Sequence, residues 1–203
     1  MDTTTNRWNT KTLVTMALLA AIAGALSFVE IPAIAVGFLK YDASDVPALV
    51  AGFVFGPGPG FLVGGIGALI HGILSGNWPG CLMNVVAVAG HVIPAALIYK
   101  HRKTLAGAIV GLVVGALVAT ALMAGMNIII DPIFYGYTTE AILALILPVF
   151  VPFNLIKTAL NSVLCLLVYK PISNLVAPKE RHAQGLVTSD LDADVAEAAA
   201  EED

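Results

Sequence analysis

Residues 46–99 read VPALVAGFVFGPGPGFLVGGIGALIHGILSGNWPGCLMNVVAVAGHVIPAALIY, and no Asp, Glu, Lys or Arg interrupts them. An apolar run of this length exceeds two membrane-spanning helices, each of which needs about 20 residues. Groups of Gly and Pro divide the run at 56–60 and at 75–80, because both residue types weaken a continuing helix. The run therefore predicts three helices, near residues 44–55, 61–74 and 81–99.

Uncharged runs on either side predict three further spans, near residues 12–29, 104–130 and 141–169, the last with Lys157 as its one charge. The chain is thus expected to be an all-α integral membrane protein with six transmembrane helices. Its 203 residues are 58% hydrophobic and 12% charged, whereas a soluble domain carries about 25% charged residues. This composition excludes a disordered chain, a basic nucleic-acid binder and a disulfide-stapled secreted module.

The basic residues predict the orientation. Six spans bring three clusters to one side: Arg7 with Lys11, Lys100 with Arg102 and Lys103, and Lys170 with Lys179 and Arg181. Because cytoplasmic loops carry an excess of Lys and Arg, both termini are expected on the cytoplasmic side of the membrane. The predicted organisation is a cytoplasmic segment at 1–11, a membrane domain at 12–170 and a disordered acidic cytoplasmic tail at 171–203.

The second predicted helix, near residues 44–55, is too short to cross a bilayer by itself. Short or broken spans are tolerated where protein or a wet cavity surrounds them, so they indicate a ligand site. Ser44-Asp45-Val46-Pro47 is typical of a helix start, with Ser44 as the capping residue and an acid in the first turn. Capping alone could therefore explain Ser44 and Asp45.

Lys157 is the most informative single residue. A charge at the centre of a bilayer is costly and normally faces a cavity or a partner. Asn154 lies three residues earlier on the same helix face, so an amide and an ammonium could contact one ligand. The alternative is a purely structural pair between Lys157 and an acid from another span.

Other polar residues lie in apolar surroundings. Asn84 and Asn127 could contact a ligand or form hydrogen bonds between helices. His71 and His91 lie on different predicted spans and do not by themselves form a metal site. The aromatic connection at 131–137 could be an interfacial belt or a lid over a planar ligand.

No motif for chemistry is present. The sequence lacks GxxxxGK[ST], HExxH, GxSxG and CxxC, so we predict no catalytic residue, no metal and no bound cofactor. Small residues recur every fourth position in the first span, at Ala17, Ala21 and Ala25. This spacing allows close helix packing, either within the monomer or against a separate membrane subunit.

Four segments carry a resemblance to a known family: ALLAAIAGA at 17–25, FLKYDASDVPAL at 38–49, GFVFGP at 52–57 and PFNLIK at 152–157. Over residues 11–170 the chain resembles the substrate-binding (S) components of energy-coupling factor (ECF) transporters for vitamins. It is most similar to the riboflavin-specific type.

The resemblance implies a six-helix fold with a vitamin pocket on the outer side, under the loop after the first span. Riboflavin is then the transported ligand, and the resemblance maps its contacts onto Asn154 and Lys157 and, more loosely, onto Asn127. Four further polar residues in or near the expected pocket complete the predicted substrate-binding set: Asn84, Glu30, Lys40 and Asp45. The face of Ala17, Ala21 and Ala25 would contact a membrane coupling subunit, the T component. Two cytoplasmic ATPases would complete the importer, which fits the missing nucleotide motif.

Two other interpretations remain open at this point. Riboflavin-type members usually carry a Lys-Asn pair in the third span, whereas residues 66–71 read IGALIH. A different vitamin or related heterocycle is therefore the first alternative, with His71 as a possible polar contact. More distant alternatives are a membrane-embedded enzyme that uses His71, His91, Glu30 or Asp131, and a stand-alone channel, against which a lone Lys157 argues.

Overall fold

A computed structural model describes residues 10–32 and 39–176, with side chains as far as Tyr169. The described residues are almost entirely helical. In chain order the elements are α1 Thr10–Leu26, β1 Ile31–Pro32, β2 Lys40–Tyr41, α2 Asp45–Phe55, α3 Pro57–Ser75, α4 Trp78–His101, α5 Leu105–Tyr135, α6 Thr139–Leu145, a π-helical segment Ile146–Phe150 and α7 Val151–Val176. Because α6, the π-helical segment and α7 follow without a gap, these elements make six helical rods.

Four of the rods are long and apolar enough to cross a membrane: α3, α4, α5 and the run Thr139–Tyr169. The other two are shorter. At 11 residues, α2 is roughly 16 Å long, about half of a 30 Å hydrocarbon core. The prediction of a helical membrane protein with a short second helix is confirmed, while six complete spans and their orientation stay predictions.

The outward faces of the helices are apolar. Val14 is 62% exposed, Leu147 78% and Leu167 67%. Large apolar surfaces of this kind are unfavourable in water and favourable against lipid tails. The surface of the bundle therefore agrees with the hydropathy of its sequence.

The predicted break at 56–60 is shorter than the sequence indicated. Only Gly56 leaves helical geometry, with φ at +106°, and α3 begins at Pro57. Proline at the first position of a helix sacrifices no intrahelical hydrogen bond, so Pro57 starts the helix instead of preventing it. The second break is also short, because Gly76 takes a left-handed conformation and Asn77 caps α4 through the N–H of Gly80.

The predicted loop at 131–137 is wrong for most of its length. Helix α5 continues through Asp131 and Pro132 to Tyr135 and ends at Gly136, whose φ is +72°. Proline is tolerated here because neighbouring helices in a membrane bundle supply alternative contacts. An aromatic lid made of a free loop is therefore not present at these residues.

Close packing of glycines joins the central helices. A Cβ added to Gly60 would lie 2.6 Å from the Cα of Gly52, and one added to Gly111 would lie 2.6 Å from the backbone oxygen of Ala95. Helices α2 and α3, and helices α4 and α5, therefore touch backbone to backbone. For these glycines, the small-residue spacing serves packing within the monomer.

Helix α1 packs on α3 through one face only. Ala20, Ala23 and Gly24 are buried, and a Cβ on Gly67 of α3 would lie 2.7 Å from that of Ala23. The predicted docking residues Ala17, Ala21 and Ala25 are on the other side of α1 and are exposed. They are not used for packing within the described chain.

The two short strands form an antiparallel pair with Ile31 opposite Tyr41 and Pro32 opposite Lys40. This pair joins the end of α1 to the start of α2. At the other end of the chain, α7 ends at Val176, and the predicted domain boundaries stay predictions. Residues 177–203 of the predicted tail at 171–203 and residues 1–9 of the predicted segment at 1–11 lie outside the described residues.

Candidate substrate-binding site

A cavity of about 300 Å³ lies where one end of the bundle meets the segment between α1 and α2. The start of α2, the end of α3, the start of α4, the end of α5 and the start of α7 all line it. Its volume is at the lower end of the range for small-molecule sites. The cavity is therefore large enough for a compact heterocyclic ligand.

All seven residues predicted to bind substrate line this one cavity, although they come from distant parts of the sequence: Glu30, Lys40, Asp45, Asn84, Asn127, Asn154 and Lys157. The structure thus brings all seven residues together. Their roles in binding stay predictions.

Lys157 is buried and paired. Its Nζ donates to Oδ2 of Asp42 at 2.9 Å, and the two side chains are 10% and 7% exposed. The sequence left open that Lys157 forms a structural ion pair, and the structure shows such a pair. The acid, however, comes from the segment before α2 and not from another span. Because both residues also line the cavity, the pair remains within reach of a ligand.

Asp42 was not among the predicted site residues. Its other oxygen, Oδ1, accepts hydrogen bonds from the backbone N–H of Ser44 at 3.0 Å and from the hydroxyl of Ser44. This turn holds the carboxylate in place. A buried lysine requires a nearby opposite charge. That requirement is the sequence signal from which an acidic partner for Lys157 in this loop could have been predicted.

Ser44 is the N-cap residue of α2, as the sequence predicted, but it caps the helix without a side-chain contact. Its side chain makes no hydrogen bond to the first turn of α2, because its hydroxyl is bound to Asp42. Asp45 does lie in the first turn of α2 and is buried. Its Oδ2 is 3.4 Å from Nδ2 of Asn161, so capping does not account for it.

Asn161 is a second residue that the sequence reasoning missed. It lies on α7, fully buried, one turn after Lys157. Its Nδ2 also donates to the backbone oxygen of Asp42 at 3.3 Å, and its Oδ1 accepts from the hydroxyl of Tyr41 at 3.1 Å. Asn161 therefore connects α7, β2 and the start of α2.

Tyr41 is suited to the role of donor in this contact. Burial, and secondly the neighbouring Asp42 carboxylate, raise the pKa of the Tyr41 phenol above its usual value. The phenol consequently stays protonated throughout the neutral range.

Asn154 and Asn127 are both held through their amide nitrogens, each by the backbone oxygen one helical turn earlier. The Nδ2 of Asn154 donates to the backbone oxygen of Phe150, and the Nδ2 of Asn127 donates to that of Met123, each at 2.8 Å. The Oδ1 of Asn127 is buried and has no hydrogen-bond partner among the described residues. Since an unsatisfied buried acceptor costs free energy, it is a natural contact for a ligand N–H or O–H group.

Phe150 is the last residue of the π-helical segment that precedes α7. Single turns of π-helix are frequent at functional sites. The segment leads directly into the turn of α7 that carries Asn154 and Lys157.

The mouth of the cavity carries a second ion pair, between Lys40 and Glu30, whose side chains are 43% and 26% exposed. His71 lies beneath it, with Nδ1 3.1 Å from the hydroxyl of Ser27 and Nε2 3.6 Å from Oε1 of Glu30. His71 lines the cavity. His91 lies deeper, at 3.2 Å from the hydroxyl of Ser162.

Apolar side chains form the rest of the wall. Leu39, Met83, Met123 and Phe153 line the cavity, and Met83 and Met123 belong to one buried cluster with Ile130. Methionine packs adaptably and favourably against aromatic rings. The site therefore combines an adaptable apolar wall with a few fixed polar groups, as small-molecule sites commonly do.

Residues 11–169 match the family model of the substrate-specific component of ECF transporters. The chain therefore belongs to this family, as its sequence segments predicted. It is a transport component and not an enzyme.

Named relatives make the comparison more specific. The chain is 30% identical over 179 residues to the riboflavin transporter RibU of Staphylococcus aureus (strain TCH60), covering 84% of this chain and 95% of that protein. It is 29% identical over 171 residues to the riboflavin transporter FmnP of Bacillus subtilis (strain 168), covering 78% and 90%. A solved structure of the S component of a bacterial ECF transporter matches with a TM-score of 0.72 and 31% identity, over 82% of this chain and 97% of that one.

Proposed function

We propose that this chain captures riboflavin from the outer side of the membrane and delivers it to an ECF-type importer. The observation that carries the proposal is the cavity in which the buried Lys157–Asp42 pair lies beside two asparagines. The names of the relatives from Staphylococcus aureus and Bacillus subtilis support the choice of riboflavin.

The chemistry of the flavin fits these groups. Its ring system has carbonyl oxygens and ring nitrogens that accept hydrogen bonds and one N–H that donates. The ammonium of Lys157 would donate to an acceptor of the ring, and the amide oxygen of Asn127 or Asn154 would accept from the N–H. Asn84 and the apolar wall would contact the ring system at its sides.

The ribityl chain carries several hydroxyl groups, which both donate and accept. Glu30, Lys40 and Asp45 offer charged partners for such groups. Since the Lys40–Glu30 pair is partly exposed at the mouth, hydroxyls that replace water there would lose little solvation.

The membrane arrangement proposed here has six spans with both termini in the cytoplasm. The three basic clusters of the sequence support it, because they then share one side. In this arrangement the substrate cavity opens outward, and α2 crosses the membrane only in combination with the segment before it. The chain would reside in a bacterial plasma membrane.

The partners follow from the family. A membrane coupling subunit (T component) and two cytoplasmic ATPases would form the importer with this chain. The exposed residues Ala17, Ala21 and Ala25 on α1 offer the coupling subunit a face on which backbones can approach closely.

Titration of the purified protein with riboflavin in detergent tests the proposal, with quenching of flavin fluorescence as the readout. We expect saturable binding and a flavin in the mass spectrum of material purified from cells. Absence of both would overturn the riboflavin assignment. Binding of another heterocycle in the same assay would favour a different vitamin, for which the polar group of His71 in place of a Lys-Asn pair is the supporting observation.

A further inference from the structure

A second cavity, of about 390 Å³, lies at the other end of the bundle. It is lined by the end of α2 at 52–55, by Gly56, by the first turn of α3 at 57–59 and by the end of α4. Asp45 at the start of α2 lines the first cavity, whereas Phe55 at its end lines the second. The two cavities are therefore at opposite ends of the same helices.

The side chains that line this cavity carry a positive charge. Lys100 and Lys103 line the second cavity, and no acidic residue does. The ion pairs formed among the described residues involve other side chains. An anion in the cavity would thus find two cations that are not already neutralised by a described carboxylate.

The start of α3 adds a further favourable contact. The first N–H groups of a helix lack intrahelical partners and attract negative charge. Pro57 and Pro59 have no N–H, so among the first three residues of α3 only Gly58 presents one. A Cβ added to Gly58 meets no atom within 4 Å, so the backbone here is open to a ligand.

The remaining wall is mostly apolar. Phe53, Val54 and Phe55 line it together with Tyr99. The ring of Phe53 lies 4.6 Å from that of Tyr99, whose hydroxyl is 2.8 Å from that of Tyr169. The phenol of Tyr99 is thus already engaged, and the inner wall offers hydrocarbon contact next to a cationic rim.

We propose that this second cavity binds the phosphate group of an anionic phospholipid. Lys100, Lys103 and the N–H of Gly58 would contact the phosphate, and the lipid's apolar part would lie along Phe53 to Phe55. Basic pockets between transmembrane helices on the cytoplasmic side are known to accept lipid headgroups in this way. The apolar wall favours a lipid over free phosphate, and the cytoplasmic placement rests on the orientation proposed above.

The test uses the intact purified protein in mixed micelles, with native mass spectrometry of retained lipid as the readout. We expect phosphatidylglycerol to be retained in preference to phosphatidylcholine. The double variant Lys100→Gln/Lys103→Gln should retain it at least about tenfold less. Arg102→Gln is the matched control, because Arg102 lies between the two lysines in sequence and does not line the cavity.

A second pair of variants tests the site without removing a lysine. Gly58→Asp places a carboxylate at the cavity, in a helix first turn that tolerates acids, and should reduce retention as strongly as the double variant. Gly58→Ala should retain the lipid, because its added Cβ meets open space.

Three results would overturn the proposal: equal loss in Arg102→Gln, unchanged retention in Lys100→Gln/Lys103→Gln, or displacement of the lipid by millimolar inorganic phosphate. The last would identify a site for free phosphate. Riboflavin binding is measured on every sample, both as a check of folding and to keep this proposal separate from the first cavity. If the wild-type chain retained the lipid but did not bind riboflavin, the riboflavin assignment would be overturned and the lipid site would stand.

Discussion

The Nζ of Lys157 lies 2.9 Å from Oδ2 of Asp42, although 115 positions separate the two residues in the chain. This pair connects the last helix to the segment that precedes α2, at the wall of the first cavity. A lysine charge is costly inside a membrane. Asp42 neutralises the charge of Lys157 at the place where a ligand would bind.

Replacement of Lys157 should weaken riboflavin binding more than replacement of Lys40. A hydrogen bond from a charged group contributes about 1.5–3 kcal/mol, so Lys157→Ala should raise Kd roughly 10- to 100-fold. Lys40 is partly exposed and already paired with Glu30, so Lys40→Ala should raise Kd less than about fivefold. Fluorescence titration measures both, and equal losses would contradict the assigned position of the ligand.

Removal of one partner from the buried pair should destabilise the protein more than removal of both. Asp42→Asn removes the direct ion-pair partner of the buried Lys157, and breaking a buried pair in this way costs about 3–5 kcal/mol. The double variant Asp42→Asn/Lys157→Met should recover much of that loss. Thermal unfolding in detergent measures the Tm of each variant. The partly exposed Lys40–Glu30 pair provides the control, because Glu30→Gln should change the free energy of unfolding by about 1 kcal/mol or less. Additive losses in the double variant would show that the two charges are not coupled.

Two alanine substitutions on α3 should have opposite effects. A Cβ at Gly60 would lie 2.6 Å from the Cα of Gly52, whereas one at Gly65 meets nothing within 4 Å. Gly60→Ala should therefore separate α2 from α3 and lower Tm. Gly65→Ala should be neutral or stabilising by up to about 1 kcal/mol, because alanine favours helix. Similar Tm values for the two variants would contradict the close contact of α2 with α3.

A bulky residue on the exposed face of α1 should block assembly and spare ligand binding. Ala21→Trp would prevent close approach of a coupling subunit, while the buried face of α1 against α3 remains intact. Co-purification with the coupling subunit should fall sharply and the riboflavin Kd should stay unchanged. Val113→Trp, on an exposed position of α5, is the control; assembly lost equally in both variants would argue against a specific role for α1.

Asp131→Asn should stabilise the protein. Asp131 is fully buried, and neither carboxylate oxygen has a hydrogen-bond partner among the described residues. An amide removes the cost of a buried charge and supplies a donor one turn after Asn127, whose Oδ1 lacks one. Tm should rise, whereas Glu140→Gln, at an exposed position in the first turn of α6, should change stability by about 1 kcal/mol or less. A lower Tm in Asp131→Asn would mean that the carboxylate has a stabilising partner outside the described residues.

The sequence predicted helices and their approximate boundaries well where the signal is local. Hydropathy located all six helical rods, and Gly and Pro marked the two breaks in residues 46–99. It overestimated the first break because Pro57 can begin a helix as well as end one. It ended α5 too early because it treated Asp131 and Pro132 as loop residues, whereas tertiary packing tolerates both in a helix.

For the site, the sequence identified Lys157 and Asn154 because polar residues in an apolar run are conspicuous whatever their partners. It did not identify Asp42 as the partner of Lys157 or Asn161 as the contact of Asp45. A loop acid next to several other polar residues carries no local sign of its partner. The spacing of small residues did not show whether Ala17, Ala21 and Ala25 pack within the monomer, and only the family resemblance assigned them to a separate subunit. The structure shows that these three are exposed, whereas Ala20 and Ala23 are buried.

The sequence by itself determined the helical membrane fold, the short second helix and the position of the intramembrane charge. Each of these depends on the cost of placing one residue type in lipid, which can be read position by position. Only the tertiary structure decided that Asp42 neutralises Lys157, that Gly52 meets Gly60 and that seven predicted residues surround one cavity. These contacts depend on how distant segments pack, and the packing is settled by the joint fit of all the helices.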